Sequence, residues 1–217
     1  DRVPVSLYEF DGFYQMQGWI NNYPEYVEIL KYAEDKTDKM YFWYPKTDST
    51  VICYGINKIE PERMKVEKWK EGTSKYTRKT INTPKGEITM LQREDEGTHT
   101  LWTLEHWCKN REDVERFLSL PNIPYVPETD SLSALDKKLG DKGFPLGDLS
   151  DAFSITVGMF GFSEFLSFYI DEKELAFKLI DNFQEKLLHY VKGTLEKAAV
   201  PMYRIYGPEY ATPPYLS

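Results

Sequence analysis

The sequence of 217 residues is long enough for one large domain or two small ones, and its 41% hydrophobic and 15% aromatic content excludes a disordered chain. Its net charge of −8 disfavours nucleic acids and anionic membranes as partners, since no basic patch is segregated. No apolar run approaches the ~18 residues of a membrane span, and two cysteines are too few for a disulfide framework. We therefore expect a cytoplasmic protein that binds neither nucleic acid nor membranes.

The first 50 residues predict a β-α-β order. Residues 3–10 form an apolar strand, and Pro24 begins a helix with apolar side chains on one face. A second buried strand is predicted at residues 40–44. A strand, a helix and another strand in this order are typical of a parallel sheet.

This order breaks between residues 51 and 107. The stretches 75–81 and 87–91 alternate in polarity, and Thr83-Pro84-Lys85-Gly86 separates them as a turn. A strand, a Pro/Gly turn and a returning strand predict an antiparallel β excursion. We assign residues 51–107 to this excursion, within one partial barrel that spans residues 1–217.

Helices and strands alternate again after the excursion. A short helix begins at Asn110 with acidic residues in its first turn, and the next helix has Asp130 or Ser131 as its N-cap. A strand is predicted at residues 143–147. The apolar residues 155–158 either belong with this strand or follow it.

The chain continues with two helices and a strand. Ser163 is expected to cap the first helix, and residues 174–197 form the strongest helix, with apolar side chains at the 3.6-residue period. A strand follows at residues 201–206. The whole order predicts an α/β fold of the TIM (β/α)8 barrel type. Such a barrel needs about 250 residues, and only four or five barrel-type strands are present, so we expect it to be incomplete at the C-terminus.

In such barrels the reactive groups lie at the carboxyl ends of the strands. A carboxylate pair near an arginine can do acid-base work or orient a polar ligand. The residues selected in this way are Glu9, Asp11 and Glu209 as catalytic candidates, and Tyr8, Arg204, Tyr206 and Tyr210 as substrate-binding candidates. Two alternatives stay open: Glu9 and Asp11 as solvated loop carboxylates, and Arg204 as a buried ion-pair partner.

The segment His106-Trp107-Cys108 has the spacing of a zinc ligand pair if its backbone is extended. No other cysteine or histidine is close to it in sequence, and a helix begins directly after it. A packing or capping role is therefore favoured, and we assign no metal ligand.

Several segments, taken in order, resemble the uroporphyrinogen decarboxylase superfamily. They are Arg2-Val3-Pro4-Val5-Ser6, Thr83-Pro84-x-Gly86, Glu105-His106-Trp107, Asn110-x-Glu112-Asp113, Tyr169-Ile170-Asp171-Glu172 and residues 204–217. The resemblance covers essentially the whole chain, although each motif alone is loose. It implies a TIM barrel with its active site in a deep cleft at the strand carboxyl ends.

One branch of that superfamily is the uroporphyrinogen decarboxylases, which hold a tetrapyrrole with eight carboxylates by an Arg-Gln-Ala-Gly-Arg stretch after the first strand. This chain has Tyr8-Glu9-Phe10-Asp11-Gly12-Phe13 there, and Gly207-Pro208 where the decarboxylases place Asp-Ser. Anions in place of cations repel that substrate. The comparison disfavours porphyrin decarboxylation.

The other branch comprises cobalamin-dependent methyltransferases, in which a His-x-Cys pair and a distant Cys hold zinc. The resemblance places those ligands beyond Ser217, so it allows zinc and a corrinoid donor in the complete protein and assigns neither here. We expect methyl transfer between a corrinoid and a thiol or small substrate. The alternatives are decarboxylation of uroporphyrinogen or another carboxylated substrate, and a non-catalytic ligand-binding or assembly module.

The expected partners are a small-molecule substrate and a corrinoid protein, and a homodimer is left open. We expect these 217 residues alone to be inactive and to expose apolar barrel surface.

Overall fold

A computed structural model of the chain describes residues 3, 5–7, 18–98 and 100–207, apart from the side chains of residues 18 and 19. The helices are α1 (Pro24–Ala33), α2 (Arg111–Leu118), α3 (Asp130–Leu139), α4 (Ala152–Gly158), α5 (Phe162–Asp171) and α6 (Lys173–Lys197). The strands are β1 (Lys39–Trp43), β2 (Val51–Ile52), β3 (Asn57–Lys58), β4 (Met64–Glu71), β5 (Ser74–Thr83), β6 (Gly86–Asp95), β7 (Leu101–Glu105), β8 (Gly143–Ser150) and β9 (Met202–Tyr206). Short 3-10 turns occur at Gly18–Asn22, Pro61–Arg63 and Gly140–Lys142.

A parallel sheet has the strand order β1-β8-β9. In the β1-β8 pair, Lys39 lies opposite Gly143 and Trp43 lies opposite Gly147. The close approach at the start of the pair requires glycine, because a Cβ added to Gly143 would lie 2.1 Å from the Lys39 carbonyl oxygen. The mixed α/β class predicted from the sequence is thus confirmed. Among the described residues, the three strands of this sheet do not close into a barrel.

The chain divides into two compact units. The first contains described residues up to Lys46 together with Pro127–Leu149 and Lys192–Ile205. The second contains the described residues of Thr47–Val126, Ser150–Val191, Tyr206 and Gly207. The residues of β8, β9 and α6 are therefore shared between the units.

In the first unit, the parallel sheet presents two different faces. The indole Nε1 of Trp43 donates a hydrogen bond of 3.0 Å to Ser131 Oγ on α3. A Cβ added to Gly147 would lie 2.4 Å from the Tyr203 ring. Because side chains alternate along a strand, Phe42 and Tyr44 lie on the face opposite Trp43.

The second unit contains an antiparallel sheet of order β4-β5-β6-β7. A tight turn joins β5 to β6, where Gly86 has a φ of +126°, which favours glycine. Thr83 Oγ1 closes this turn by donating to the Gly86 carbonyl oxygen at 2.7 Å. Ile81 and Ile88 lie opposite each other and are fully buried. The strands β2 and β3 form a separate two-stranded hairpin.

Two of the helices, α2 and α6, follow the capping and amphipathic patterns of the sequence. Asn110 Oδ1 caps α2 by accepting a hydrogen bond of 2.9 Å from the Asp113 backbone N–H. In α6, Leu179 and Phe183 are fully buried at the helical spacing of four residues.

In the described part of the chain, no single helix is long and apolar enough to cross a membrane. Only α4 and α5 together pass that test, as a pair bent by 109°.

Three local predictions were wrong. Residues 155–158 lie in α4, where Asp151 Oδ1 accepts a hydrogen bond of 2.6 Å from the Ser154 backbone N–H and caps the helix. The N-cap of α3 is Thr129, not Asp130 or Ser131. The N-cap of α5 is Gly161, so Ser163 does not cap it. The N-cap residue is determined by the backbone geometry at the helix start. Several neighbouring polar residues match the same sequence pattern, so the pattern alone does not identify the cap.

The first predicted strand also differs from the structure. Val3 and residues 5–7, the described part of segment 3–10, are not in a strand. Val5 nevertheless pairs with Asp38: its N–H donates to Asp38 Oδ2 at 3.0 Å, and its carbonyl accepts from the Asp38 N–H at 2.7 Å.

Candidate functional site

In the first unit, a polar cluster lies at the carboxyl ends of the parallel strands. Arg204 on β9 forms a fork with Asp148 on β8, with Nε 2.6 Å from Oδ1 and Nη2 3.0 Å from Oδ2. The Asp148 side chain is 6% exposed and that of Arg204 is 30% exposed. Two parallel, charge-assisted hydrogen bonds fix the plane and the direction of the guanidinium.

Phe42 of β1 and Tyr44, directly after that strand, complete this cluster. The Tyr44 hydroxyl donates a hydrogen bond of 2.8 Å to Asp148 Oδ2. The guanidinium carbon of Arg204 lies 4.4 Å from the centre of the Phe42 ring, a cation-π distance. We call Phe42, Tyr44, Asp148 and Arg204 the arginine cluster.

The parallel register explains why these residues meet. Phe42 lies opposite Leu146, so the alternation of side chains puts Tyr44 and Asp148 on the face that Phe42 occupies. Trp43 points to the other face, toward α3. The arginine cluster therefore lies on the face of the sheet opposite the one that α3 covers.

The contacts of the arginine cluster hold the Arg204 side chain in one position. Asp148 compensates the charge of Arg204, and the Phe42 ring supports the flat side of the guanidinium. The Tyr44 side chain is 42% exposed, so its hydroxyl is accessible from solvent while it is bonded to Asp148. Such an arrangement can orient a polar substrate atom, and it cannot hold several additional anions without further cations.

Tyr206 belongs to the second unit and is packed there. Its carbonyl oxygen accepts a hydrogen bond of 3.1 Å from the Asp151 backbone N–H, and its ring meets Tyr54 edge-on with 6.3 Å between centroids. The Asp151 carboxylate caps α4. A Cβ on Gly207 would lie 2.7 Å from Asp151 Oδ2, so any other residue there would have to displace this carboxylate.

Five of the seven residues selected from the sequence lie outside the described residues. They are Tyr8, Glu9, Asp11, Glu209 and Tyr210. Their catalytic and substrate-binding roles stay predictions. For Arg204, the structure has the ion-pair arrangement that the sequence left open as an alternative.

The pair His106 and Cys108 does not form a metal site. Cys108 is 1% exposed, and burial raises the pKa of its thiol well above the usual range, which opposes the thiolate that zinc needs. His106 Nδ1 lies 3.4 Å from the Gly158 carbonyl oxygen. No group of three or more His, Cys, Asp or Glu side chains that could hold a metal occurs in the described ranges. The described residues do not fit zinc.

Sequence reasoning missed Asp148 and Tyr44. A usable signal was present, because Tyr44 ends one predicted strand and Asp148 directly follows another, at 143–147. The rule that selected Arg204 selects both of them when it is applied to every predicted strand.

Comparison with known proteins gives no relative for this chain. No protein-family model matches it, and no curated protein or solved structure does. Arguments about function therefore depend on the site geometry and on the sequence pattern.

Proposed function

We propose that the complete protein is a TIM-barrel enzyme of the uroporphyrinogen decarboxylase type that transfers a methyl group between a corrinoid and a thiol or another small substrate. The sequence motifs described above support the family. The parallel order β1-β8-β9 supports the barrel, since helices connect β8 to the adjacent strand β9, as in a barrel wall. The arginine cluster supports a site at the strand carboxyl ends.

The observation that carries the choice of reaction is the fork between Arg204 and Asp148. A decarboxylase for a substrate with many carboxylates needs cations whose charge is available to that substrate. Here a buried carboxylate already compensates the guanidinium, at 2.6 and 3.0 Å. Pulling the two apart for an anionic substrate would leave Asp148, 6% exposed, without its partner. The geometry favours a small substrate with little negative charge.

The chain's own residues then have positioning roles. Arg204 and Tyr44 orient the polar atoms of the substrate, and Asp148 holds both of them in place. Glu9, Asp11 and Glu209 are the proposed acid-base groups. When bound, a methylated corrinoid would supply the methyl group to the thiol sulfur and keep the electron pair of the broken cobalt–carbon bond. One of these carboxylates would take the thiol proton.

The test is thiol-dependent loss of methyl from methylcobalamin, followed by absorbance with the complete protein and a panel of small thiols. We expect turnover that depends on both components. Asp148→Asn should raise KM more than it lowers kcat, because the fork positions the substrate and takes no proton. Asp141→Asn is the matched control, with an exposed carboxylate in the same unit, and should leave both constants unchanged.

Two results would contradict the proposal. Release of carbon dioxide from uroporphyrinogen or another carboxylated substrate, without methyl transfer, would favour the decarboxylase. Binding of small ligands without turnover of any of these substrates would favour a non-catalytic module.

A further inference from the structure

The second unit contains a cavity of about 280 Å³ between the sheet and the β2-β3 hairpin. Its walls are of mixed polarity, and their apolar part includes Met90, Trp107 and Ile155. Three of its polar lining side chains come from neighbouring strands of the sheet: Lys79, Gln92 and Thr103. At about 30 Å³ per water molecule, the space corresponds to roughly nine waters. A cavity with apolar walls and a few convergent polar groups is the usual form of a small-molecule site.

Lys79 is the unusual member of this lining. It lies in the middle of β5, between Val66 and Met90 on the adjacent strands, and is partly buried. Within the described part of the chain, its amine makes no hydrogen bond and no ion pair. Burial lowers the pKa of this amine from its ordinary value, and the nearby Lys68 charge lowers it further. A partly buried cation without an anion is unfavourable, so the cavity has a place for a negative charge.

The other polar groups near Lys79 are neutral and do not satisfy it. Burial raises the pKa of the Cys53 thiol to about 12, so it stays protonated at neutral pH. Gln92 Nε2 lies 3.5 Å from Thr103 Oγ1, at the long limit of a hydrogen bond, and both groups retain bonding capacity. One cation and two weakly bonded neutral groups therefore converge on the same space.

The hairpin over the cavity is held in an uncommon conformation. Three consecutive residues have positive φ angles: 53° at Cys53, 55° at Tyr54 and 83° at Gly55. The first two are not glycine, and such backbone persists only where the surroundings hold it. The Cys53 sulfur lies 3.5 Å from the Met159 sulfur, which ties the hairpin to the opposite wall.

We propose that this cavity binds a small monocarboxylate with a compact apolar body. The carboxylate pairs with Lys79 and accepts hydrogen bonds from Gln92 and Thr103, while the apolar body packs on Met90 and Trp107. A single cation matches a single negative charge. A dianion such as phosphate would carry an uncompensated charge into apolar walls. This site goes beyond the proposed methyl transfer and does not depend on it.

Isothermal titration calorimetry of the complete protein tests the proposal with benzoate, phenylacetate, benzamide and inorganic phosphate. We expect at least one of the two carboxylates to bind at least about tenfold more tightly than benzamide, its neutral counterpart, because the charged hydrogen bonds are lost. Phosphate should bind more weakly than either carboxylate. No heat from either carboxylate up to about 10 mM, or a failure of both carboxylates to bind more tightly than benzamide, would overturn the proposal.

A pair of variants then locates the site. Lys79→Met should weaken carboxylate binding by about tenfold or more. Lys75→Met makes the same change on the same strand, at a side chain 64% exposed, and should alter binding by less than about twofold. An equal loss of carboxylate affinity in both variants would overturn the proposal, because binding would then depend on the net charge of the protein and not on Lys79. If Lys79→Met does not fold, the comparison of benzoate with benzamide on the unaltered protein decides.

Discussion

Removing the Asp148 carboxylate is the change to which the arginine cluster is expected to be most sensitive. Asp148→Ala deletes two charge-assisted hydrogen bonds from Arg204 and one from Tyr44, at 2.6, 3.0 and 2.8 Å. Breaking a buried ion pair from one side costs about 3–5 kcal/mol. Because Arg204 is 30% exposed, water can solvate part of the stranded guanidinium, and we expect a loss of about 2–3 kcal/mol.

The assay is urea unfolding, followed by circular dichroism, of the unaltered protein and the variant. Asp141→Ala, at an exposed carboxylate in the same unit, is the control and should change the free energy of unfolding by no more than about 0.5 kcal/mol. The double variant Asp148→Ala with Arg204→Met removes both charges. It should be less destabilised than the sum of the single variants by about 1–2 kcal/mol.

Equal midpoints for Asp148→Ala and Asp141→Ala would refute this reasoning. The reasoning would also be refuted if the double variant lost as much free energy of unfolding as the two single variants together, because Arg204 and Asp148 would then have no interaction energy.

Three further outcomes are expected. Gly147→Ala should destabilise the protein in thermal unfolding by about 1–3 kcal/mol, since the new Cβ would lie 2.4 Å from the Tyr203 ring; an unchanged melting temperature would contradict this packing. The pKa of Asp48 is lowered to about 2, mainly by hydrogen bonds from Thr50, so its contribution to stability is present above its ordinary pKa of 3.8 and is lost as the pH falls through 2. An NMR titration should show that midpoint, and a midpoint near 4 would speak against these hydrogen bonds. Cys108, which is 1% exposed and whose thiol pKa is raised by burial, should react with a thiol reagent at pH 8 only after unfolding; rapid labelling of the folded protein at this residue would contradict its burial.

The elements that could be predicted from the sequence are those with a long regular pattern. Helix α6 repeats apolar residues over 25 positions, and Leu179 and Phe183 are buried as that period requires. The turn between β5 and β6 has Pro84 and Gly86, whose backbone preferences locate it without tertiary information.

Short apolar segments were harder to assign. Residues 155–158 contain too few positions to show a period, and Asp151, which caps α4, was the signal that would have identified a helix. The predicted strand at 3–10 has the apolar content of a strand, but Val5 bonds to Asp38 alone among described residues. Strand formation depends on a partner, which local sequence does not specify.

Only part of the arginine cluster could be predicted from the sequence. The strand-end rule selected Arg204, and an ion pair was one of its two alternatives. The partner Asp148 is 56 residues away in sequence, on a neighbouring strand. Such a pairing depends on strand order, and a single sequence does not determine that order.

The measurement that tests the central claim most directly is transfer of an isotopic label. The complete protein is incubated with a small thiol and methylcobalamin carrying a 13C-labelled methyl group, and the products are examined by NMR. The proposed function gives a labelled methyl group bonded to sulfur, in an amount that depends on the protein and falls in Asp148→Asn. Label that stays on the corrinoid, with release of labelled carbon dioxide from a carboxyl-labelled porphyrinogen in a parallel sample, would contradict it.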